Sequence, residues 1–127
     1  MNNNRFFKCD RCGNVMLSVI GLGNDVTCCG TKMHEIVFKT MDEGKEKHLP
    51  LVSRSKSSVY VDVGENEHPM VEEHSINFIY LRTNKGGHLS YLKPGEVPAA
   101  AFDIRDEEPK VAYAYCNKHG MWEKVLD

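Results

Sequence analysis

The chain has 127 residues, of which 41% are hydrophobic and 27% are charged, and these proportions are typical of a soluble globular protein. A net charge of −2 excludes the basic surface that nucleic acid requires, and no apolar run is long enough to span a membrane. The polar N-terminus lacks the apolar core of a signal peptide, so we expect a cytoplasmic protein. Five cysteines in that compartment favour metal ligation, because structural disulfides are rare there and the count is odd.

Residues 1–37 form a short N-terminal unit with too little apolar content for a core of its own, so we expect a metal to stabilise it. A short strand is predicted at residues 6–8. Residues 9–13 then predict a metal-binding knuckle, in which two cysteines flank a tight turn and a glycine eases the backbone. The pair Cys28 and Cys29 closes the unit with two further thiolates.

Four thiolates without histidine favour zinc or iron, and their spacing leaves both metals open. Adjacent residues of an extended chain point to opposite sides. Cys28 and Cys29 must therefore take an unusual local conformation to bind one ion, and we expect a distorted tetrahedron. We expect this metal to hold the unit folded, and an iron here would be redox-active as well.

The charged segment 39–47 predicts a linker, and beyond it the chain shows no long helical periodicity. Residues 83–87 predict the turn of a hairpin. Short strands separated by turn signals predict an antiparallel β-sandwich. The predicted strands are residues 57–63, 74–82, 88–92, 99–104, 111–116 and 121–126.

A second set of metal ligands is predicted at the end of the strand 111–116. Cys116 and His119 are three residues apart, so both can face one ion. Gly120 permits a tight turn behind them, and Trp122 supplies a large apolar group that walls the site. Three histidines lie upstream in predicted loops beside strands: His48, His68 and His74. Four imidazoles and one thiolate leave one octahedral position open on a metal such as iron.

Three segments together resemble the iron-binding motifs of the superoxide reductases. They are Glu46-Lys47-His48-Leu49-Pro50, His68-Pro69-Met70 with His74 six residues after His68, and Cys116-Asn117-Lys118-His119-Gly120. Cys9-x-x-Cys12 and Cys28-Cys29 resemble the desulforedoxin-like domain of the two-iron form, desulfoferrodoxin. The match covers nearly the whole chain, in order.

The resemblance implies an all-β chain in two domains. Residues 1–37 would form a desulforedoxin-like four-cysteine iron domain, and residues 38–127 an immunoglobulin-like antiparallel β-sandwich that carries the second iron. Two irons per chain are implied, the first held by Cys9, Cys12, Cys28 and Cys29. The second is implied to have His48, His68, His74 and His119 in a plane, with Cys116 axial.

The implied activity is the one-electron reduction of superoxide to hydrogen peroxide without oxygen evolution, a defence against oxidative stress. By the same resemblance Lys47 steers the anion and helps to protonate the peroxide, and Glu46 binds the ferric ion when no substrate is present. A rubredoxin-like donor and a homodimer are also implied. The alternatives are an electron carrier, which rarely needs an open coordination position, and a superoxide dismutase, which must also oxidise superoxide.

Five further residues are assigned to structure or surface. His34 and His88 match no motif of the family, so neither is expected to bind metal. Tyr113 and Tyr115 are expected to pack within the sandwich, and Met70 is expected to pack beside it.

Overall fold

The protein is described by a computed structural model that covers residues 5–21, 25–41, 48–64 and 69–126. The chain divides into two compact units, Met1–Val37 and Phe38–Asp127. These described segments form strands and no helix, and all the strand pairs are antiparallel, so the prediction of an all-β chain is confirmed. Within the same segments nothing has the helical length and apolar content that crossing a membrane requires.

The N-terminal unit contains one small sheet and one very short hairpin. Strand β1 lies in the centre of the sheet, between β2 and β5, and β3 pairs with β4. A small buried cluster of Phe7, Cys9 and Met33 packs beneath them. Because this cluster is so small, we expect the unit to need its cysteines and a bound metal for stability. The strands are β1 Arg5–Lys8, β2 Val15–Ser18, β3 Thr27–Cys28, β4 Thr31–Lys32 and β5 His34–Glu35.

The C-terminal unit is a sandwich of two antiparallel sheets. One sheet has the order β10-β7-β6 and the other the order β12-β11-β8-β9. Val59, Val61 and Val63 alternate along β7 and are buried between the sheets, because successive side chains of a strand point to opposite faces. The strands are β6 Pro50–Ser55, β7 Ser58–Val63, β8 Ile76–Thr83, β9 Gly87–Tyr91, β10 Ala99–Asp103, β11 Pro109–Cys116 and β12 Gly120–Val125.

Strand β11 is buried on both faces, which anchors the end of the strand where Cys116 lies. Its alanines, Ala112 and Ala114, belong to the core between the sheets. On the other face Tyr115 stacks on Phe78, with ring centroids 5.5 Å apart. Tyr113 lies 6.0 Å from Tyr80 on that face as well. Both tyrosines therefore pack within the sheet, as predicted.

The structure corrects the prediction of two strands. The predicted strand 74–82 begins at Ile76 instead, because His74 and Val71 close a tight turn with backbone hydrogen bonds of 3.0 and 3.1 Å. Strand β6 was not predicted. Its second half is a run of polar residues on an edge strand, which shows no apolar alternation.

The prediction that the linker begins at Lys39 is wrong. The Lys39 N–H donates to the carbonyl oxygen of Met121 at 2.9 Å, and its own carbonyl accepts from the Glu123 N–H at 2.9 Å. Lys39 thereby forms a parallel bridge with Trp122. A charged residue in a sequence rich in charge carries no local sign of such pairing, because the partner strand lies at the far end of the chain.

Candidate metal centres

Four cysteines of the N-terminal unit form the first group of ligands. The sulfur atoms of Cys9, Cys12, Cys28 and Cys29 all lie within 4.8 Å of one another. The Cys12 and Cys28 Sγ atoms are 3.5 Å apart, and those of Cys28 and Cys29 are 4.0 Å apart. Tetrahedral coordination with metal–sulfur bonds of about 2.3 Å places sulfurs about 3.8 Å apart. The group therefore has the dimensions of a tetrahedral metal site.

The local backbone explains how these cysteines converge. In the knuckle the Cys9 N–H donates to Asn14 O and the Gly13 N–H donates to Cys9 O, both at 2.9 Å, while Gly13 has a φ of +80°. Cys29 has a φ of 55°, the left-handed region that non-glycine residues rarely adopt. That conformation brings its sulfur to the same side as that of Cys28. The unusual conformation predicted for the adjacent pair is confirmed.

Three thiols of this group, those of Cys9, Cys28 and Cys29, have shifted pKa values. A hydrogen bond from the Cys12 backbone lowers the pKa of Cys9 to about 7. Hydrogen bonds shared with the Cys12 side chain raise the pKa of Cys28, and they raise the pKa of Cys29 to about 12. Four thiolates this close repel one another, so their joint ionisation at neutral pH requires a cation between them. The donor set suits zinc or iron.

The second group of ligands lies in the sandwich. Ligand atoms of His48, His74, Cys116 and His119 all lie within 4.8 Å of one another. His119 Nδ1 is 3.2 Å from His48 Nε2 and 3.8 Å from Cys116 Sγ. Two nitrogens bound to one ion at about 2.1 Å and at right angles would be about 3.0 Å apart. Imidazoles and a thiolate at this spacing fit iron.

A bulge in the sheet and a glycine turn position Cys116 and His119. Tyr115 pairs with Phe78 and Cys116 pairs with Ile76, so β8 contributes one extra residue at this point. Such bulges redirect the side chains beside them. After the loop, Gly120 adopts a φ of +98°, which fits the tight turn expected there, and β12 starts at this residue.

Asn117 ties the two halves of this group together. Its side-chain oxygen accepts a hydrogen bond from the Ser75 N–H at 3.1 Å, and its own N–H donates to the Ser75 carbonyl at 3.2 Å. Ser75 is only 1% exposed and directly follows His74. The loop that directly follows Cys116 is thereby fixed to the segment that carries His74. Sequence reasoning missed this pair, because its members lie 42 residues apart and match no metal-ligand pattern.

Ring contacts pack the histidines of this group against Trp122 and against one another. The Trp122 indole stacks on the His48 imidazole, with centroids 4.0 Å apart and planes within 9°. Its Nε1 donates to the Met41 carbonyl at 3.2 Å, which fixes the ring in its plane. His119 meets His48 and His74 edge to face, at 5.0 and 4.9 Å. The predicted wall at Trp122 is confirmed.

Three of the predicted site residues, Glu46, Lys47 and His68, lie outside the described residues. His68 as a fifth ligand, and the roles of Glu46 and Lys47, therefore stay predictions. Every other predicted ligand belongs to one of the two groups.

The residues assigned to structure or surface occupy other positions. His34 Nδ1 lies 3.1 Å from Asp10 Oδ2, and His88 Nε2 lies 3.2 Å from Glu107 Oε1. Neither histidine belongs to a ligand group among the residues that the structure describes. Met70 packs against the core, and its sulfur accepts a hydrogen bond from the Ile76 N–H at 3.3 Å.

The chain is similar in sequence and in structure to known proteins. The family profile described as desulfoferrodoxin matches residues 40–125. A desulfoferrodoxin homologue of Archaeoglobus fulgidus is 42% identical over 117 residues, covering 92% of this chain and 93% of its own. The desulfoferrodoxin of Nitratidesulfovibrio vulgaris is 38% identical, with 96% of each chain covered. The crystal structure of the superoxide reductase from Treponema pallidum superimposes with a TM-score of 0.85 at 31% identity, covering 96% of this chain and 98% of that one.

Proposed function

Because the chain belongs to the desulfoferrodoxin family, we propose that it is a superoxide reductase, an oxidoreductase that converts superoxide into hydrogen peroxide without releasing dioxygen. The observation that carries the proposal is the convergence of His48, His74, Cys116 and His119 on one point in the sandwich. The two ligand groups are consistent with the two iron sites of this family.

Iron bound in the sandwich, with His68 as a fifth ligand, would supply a reducing electron and one open coordination position. Neutral imidazoles and one thiolate give a ferrous centre a formal charge of +1, which attracts a small anion. The protein's part is to hold these ligands rigid, through the Trp122 stack on His48 and the Asn117 bonds to Ser75. Superoxide takes up one electron and two protons and leaves as hydrogen peroxide.

The stoichiometry of oxygen tests the proposed reaction directly. With the iron-loaded protein kept reduced, we expect superoxide to disappear and hydrogen peroxide to accumulate while dissolved oxygen stays constant in an electrode measurement. A dismutase would release dioxygen together with peroxide, because it oxidises one superoxide for each that it reduces. Catalytic release of oxygen would overturn the reductase assignment. If the protein did not react with superoxide at all, the sandwich iron would be assigned as an electron carrier instead.

We propose that Lys47 steers superoxide to the centre and donates a proton to the developing peroxide, and that Glu46 binds the ferric ion in the resting state. The support is the match to the family motif and the place of Lys47, directly before the ligand His48. The whole chain has a net charge of −2, so attraction of an anion has to be local.

Replacing Lys47 with isoleucine is expected to slow the bimolecular reaction with superoxide by roughly tenfold or more, because local electrostatic steering is lost. The rate should also depend less on salt, since screening acts on exposed charges. Pulse radiolysis across a range of ionic strength measures both effects. Lys45→Ile is the matched control, because it removes the same charge two residues earlier. Equal rates and equal salt slopes for the two variants would contradict a special role for Lys47.

We propose that a rubredoxin-like protein re-reduces the centre and that the protein acts as a cytoplasmic homodimer. The support for such a donor is chemical, because each turnover consumes one electron and a one-electron carrier returns it without side products. The support for the cytoplasm is that the cysteines are suited to bind metal, because a reducing compartment keeps thiols free of disulfides.

A further inference from the structure

Lys39 lies beside the second group of ligands, although nothing in its sequence context suggests it. Its Nζ donates a hydrogen bond of 2.7 Å to the carbonyl oxygen of the ligand His119. The same ammonium group lies 4.6 Å from the centroid of the Trp122 ring, which in turn stacks on the ligand His48. The Lys39 ammonium group thus contacts the backbone of one ligand, His119, and the ring that stacks on another, His48.

The position of this cation is defined by the backbone as well as by its side chain. Lys39 bridges to β12 through hydrogen bonds of 2.9 Å to Met121 and from Glu123. An ammonium group within about 6 Å of an indole face is attracted by the quadrupole of the ring. Lys39 is exposed, but these contacts hold its ammonium group in place. The charge of an ordinary surface lysine moves freely in solvent and has little effect on a site.

A fixed positive charge beside a metal centre changes the relative stability of its oxidation states. Ferric iron carries one more positive charge than ferrous iron, so a neighbouring cation destabilises the ferric form more. The positive charge therefore raises the reduction potential of the iron, and removing the charge lowers that potential. The Nζ bond to His119 O also holds the loop that presents the His119 ring.

We propose that Lys39 is a positioning and electrostatic residue of the centre formed by His48, His74, Cys116 and His119. Its ammonium group holds the Trp122 indole and the His119 carbonyl in place and favours the ferrous state of iron bound there. This inference rests on the proposed iron centre. It does not require that superoxide is the substrate, so the two can fail separately.

Four variants separate the charge of Lys39 from its hydrogen bond and its bulk. Lys39→Met removes charge and donor but keeps a long flexible side chain, and Lys39→Gln keeps a donor without charge. Lys39→Arg retains both, and arginine also stacks on aromatic faces. Lys110→Met is the matched control, because Lys110 is an exposed lysine of β11 on the strand that ends in Cys116, six residues away.

The test is a redox titration of the iron-loaded variants, followed by visible absorbance, with metal content measured for each. At low salt we expect Lys39→Met and Lys39→Gln to shift the ferrous–ferric equilibrium toward ferric by on the order of threefold, as for a screened charge near a protein surface. For one electron that shift is about 30 mV, and added salt should reduce it. Lys39→Arg and Lys110→Met should match the unmodified protein.

The metal-free protein gives an independent readout, because Trp122 is the only tryptophan of the chain. Loss of the positive charge over the indole should change Trp122 fluorescence in Lys39→Met. Lys39→Arg and Lys110→Met keep that charge, so their fluorescence should be unchanged. An unshifted potential in Lys39→Met and Lys39→Gln overturns the proposal, as does an equal shift in Lys110→Met or in Lys39→Arg. If Lys39→Met fails to bind iron, the titration of Lys39→Gln decides. No step uses superoxide, so an inactive but normally titrating protein would count against the reductase function alone.

Discussion

Replacing Cys116 with serine is expected to remove the sulfur-to-iron charge-transfer band of the sandwich centre and to slow its reaction with superoxide by at least about a hundredfold. Loss of an outer-shell partner of a metal site already costs up to about that much, and Cys116 is proposed to bind the metal directly. A hard hydroxyl would replace a soft, strongly donating thiolate. Cys116 is fully buried, so no solvent group can take its place without opening the core.

Visible spectroscopy and pulse radiolysis of the same iron-loaded sample measure the two effects of Cys116→Ser. Cys12→Ser is the control, because it removes one thiol from the other group and leaves the sandwich ligands unchanged. A band that persists in Cys116→Ser and disappears in the control would show that Cys116 does not bind the metal responsible for it.

Replacing Cys12 with serine is expected to abolish iron binding in the N-terminal unit and to leave the reaction with superoxide largely intact. The two ligand groups share no residue. Only the sandwich group is expected to have an open position for substrate. The buried cluster of the N-terminal unit is small, comprising Phe7, Cys9 and Met33, so loss of the metal should also unfold this unit.

In Cys12→Ser, elemental analysis should find one iron per chain instead of two. Limited proteolysis should cut this variant selectively in the region Met1–Val37. Arg11→Ser, at an exposed neighbour in the same turn, is the matched control and should keep both metals. A Cys12→Ser variant that retains its second iron but no longer reacts with superoxide would make the N-terminal iron essential to catalysis. If Cys12→Ser still contained two irons per chain, Cys12 would not be a metal ligand.

Local patterns in the sequence, together with the family resemblance they carry, were sufficient to predict the described members of both ligand groups and the class of fold. The spacing of Cys116 and His119, with Gly120 behind them, already predicted that both face one ion, because three residues of turn determine their separation. Adjacent residues of an extended chain point to opposite sides, so Cys28 and Cys29 needed an irregular backbone to face one ion. Cys29 has the left-handed conformation that allows this. Strand alternation likewise follows from the two-residue period of β-structure.

The contacts that hold the sandwich centre were decided by tertiary structure alone. Asn117 meets Ser75 across 42 residues of sequence, and Lys39 meets His119 across 80. Such partners are selected by the pairing register of β8, β11 and β12, including the bulge beside Cys116. A shift of one residue turns every side chain of a strand to the other face, and the register depends on the summed packing of the whole sheet. No short stretch of sequence contains that sum. The described members of the ligand group and the wall at Trp122 were therefore predictable from the sequence, whereas the contacts made by Asn117, Ser75 and Lys39 were not.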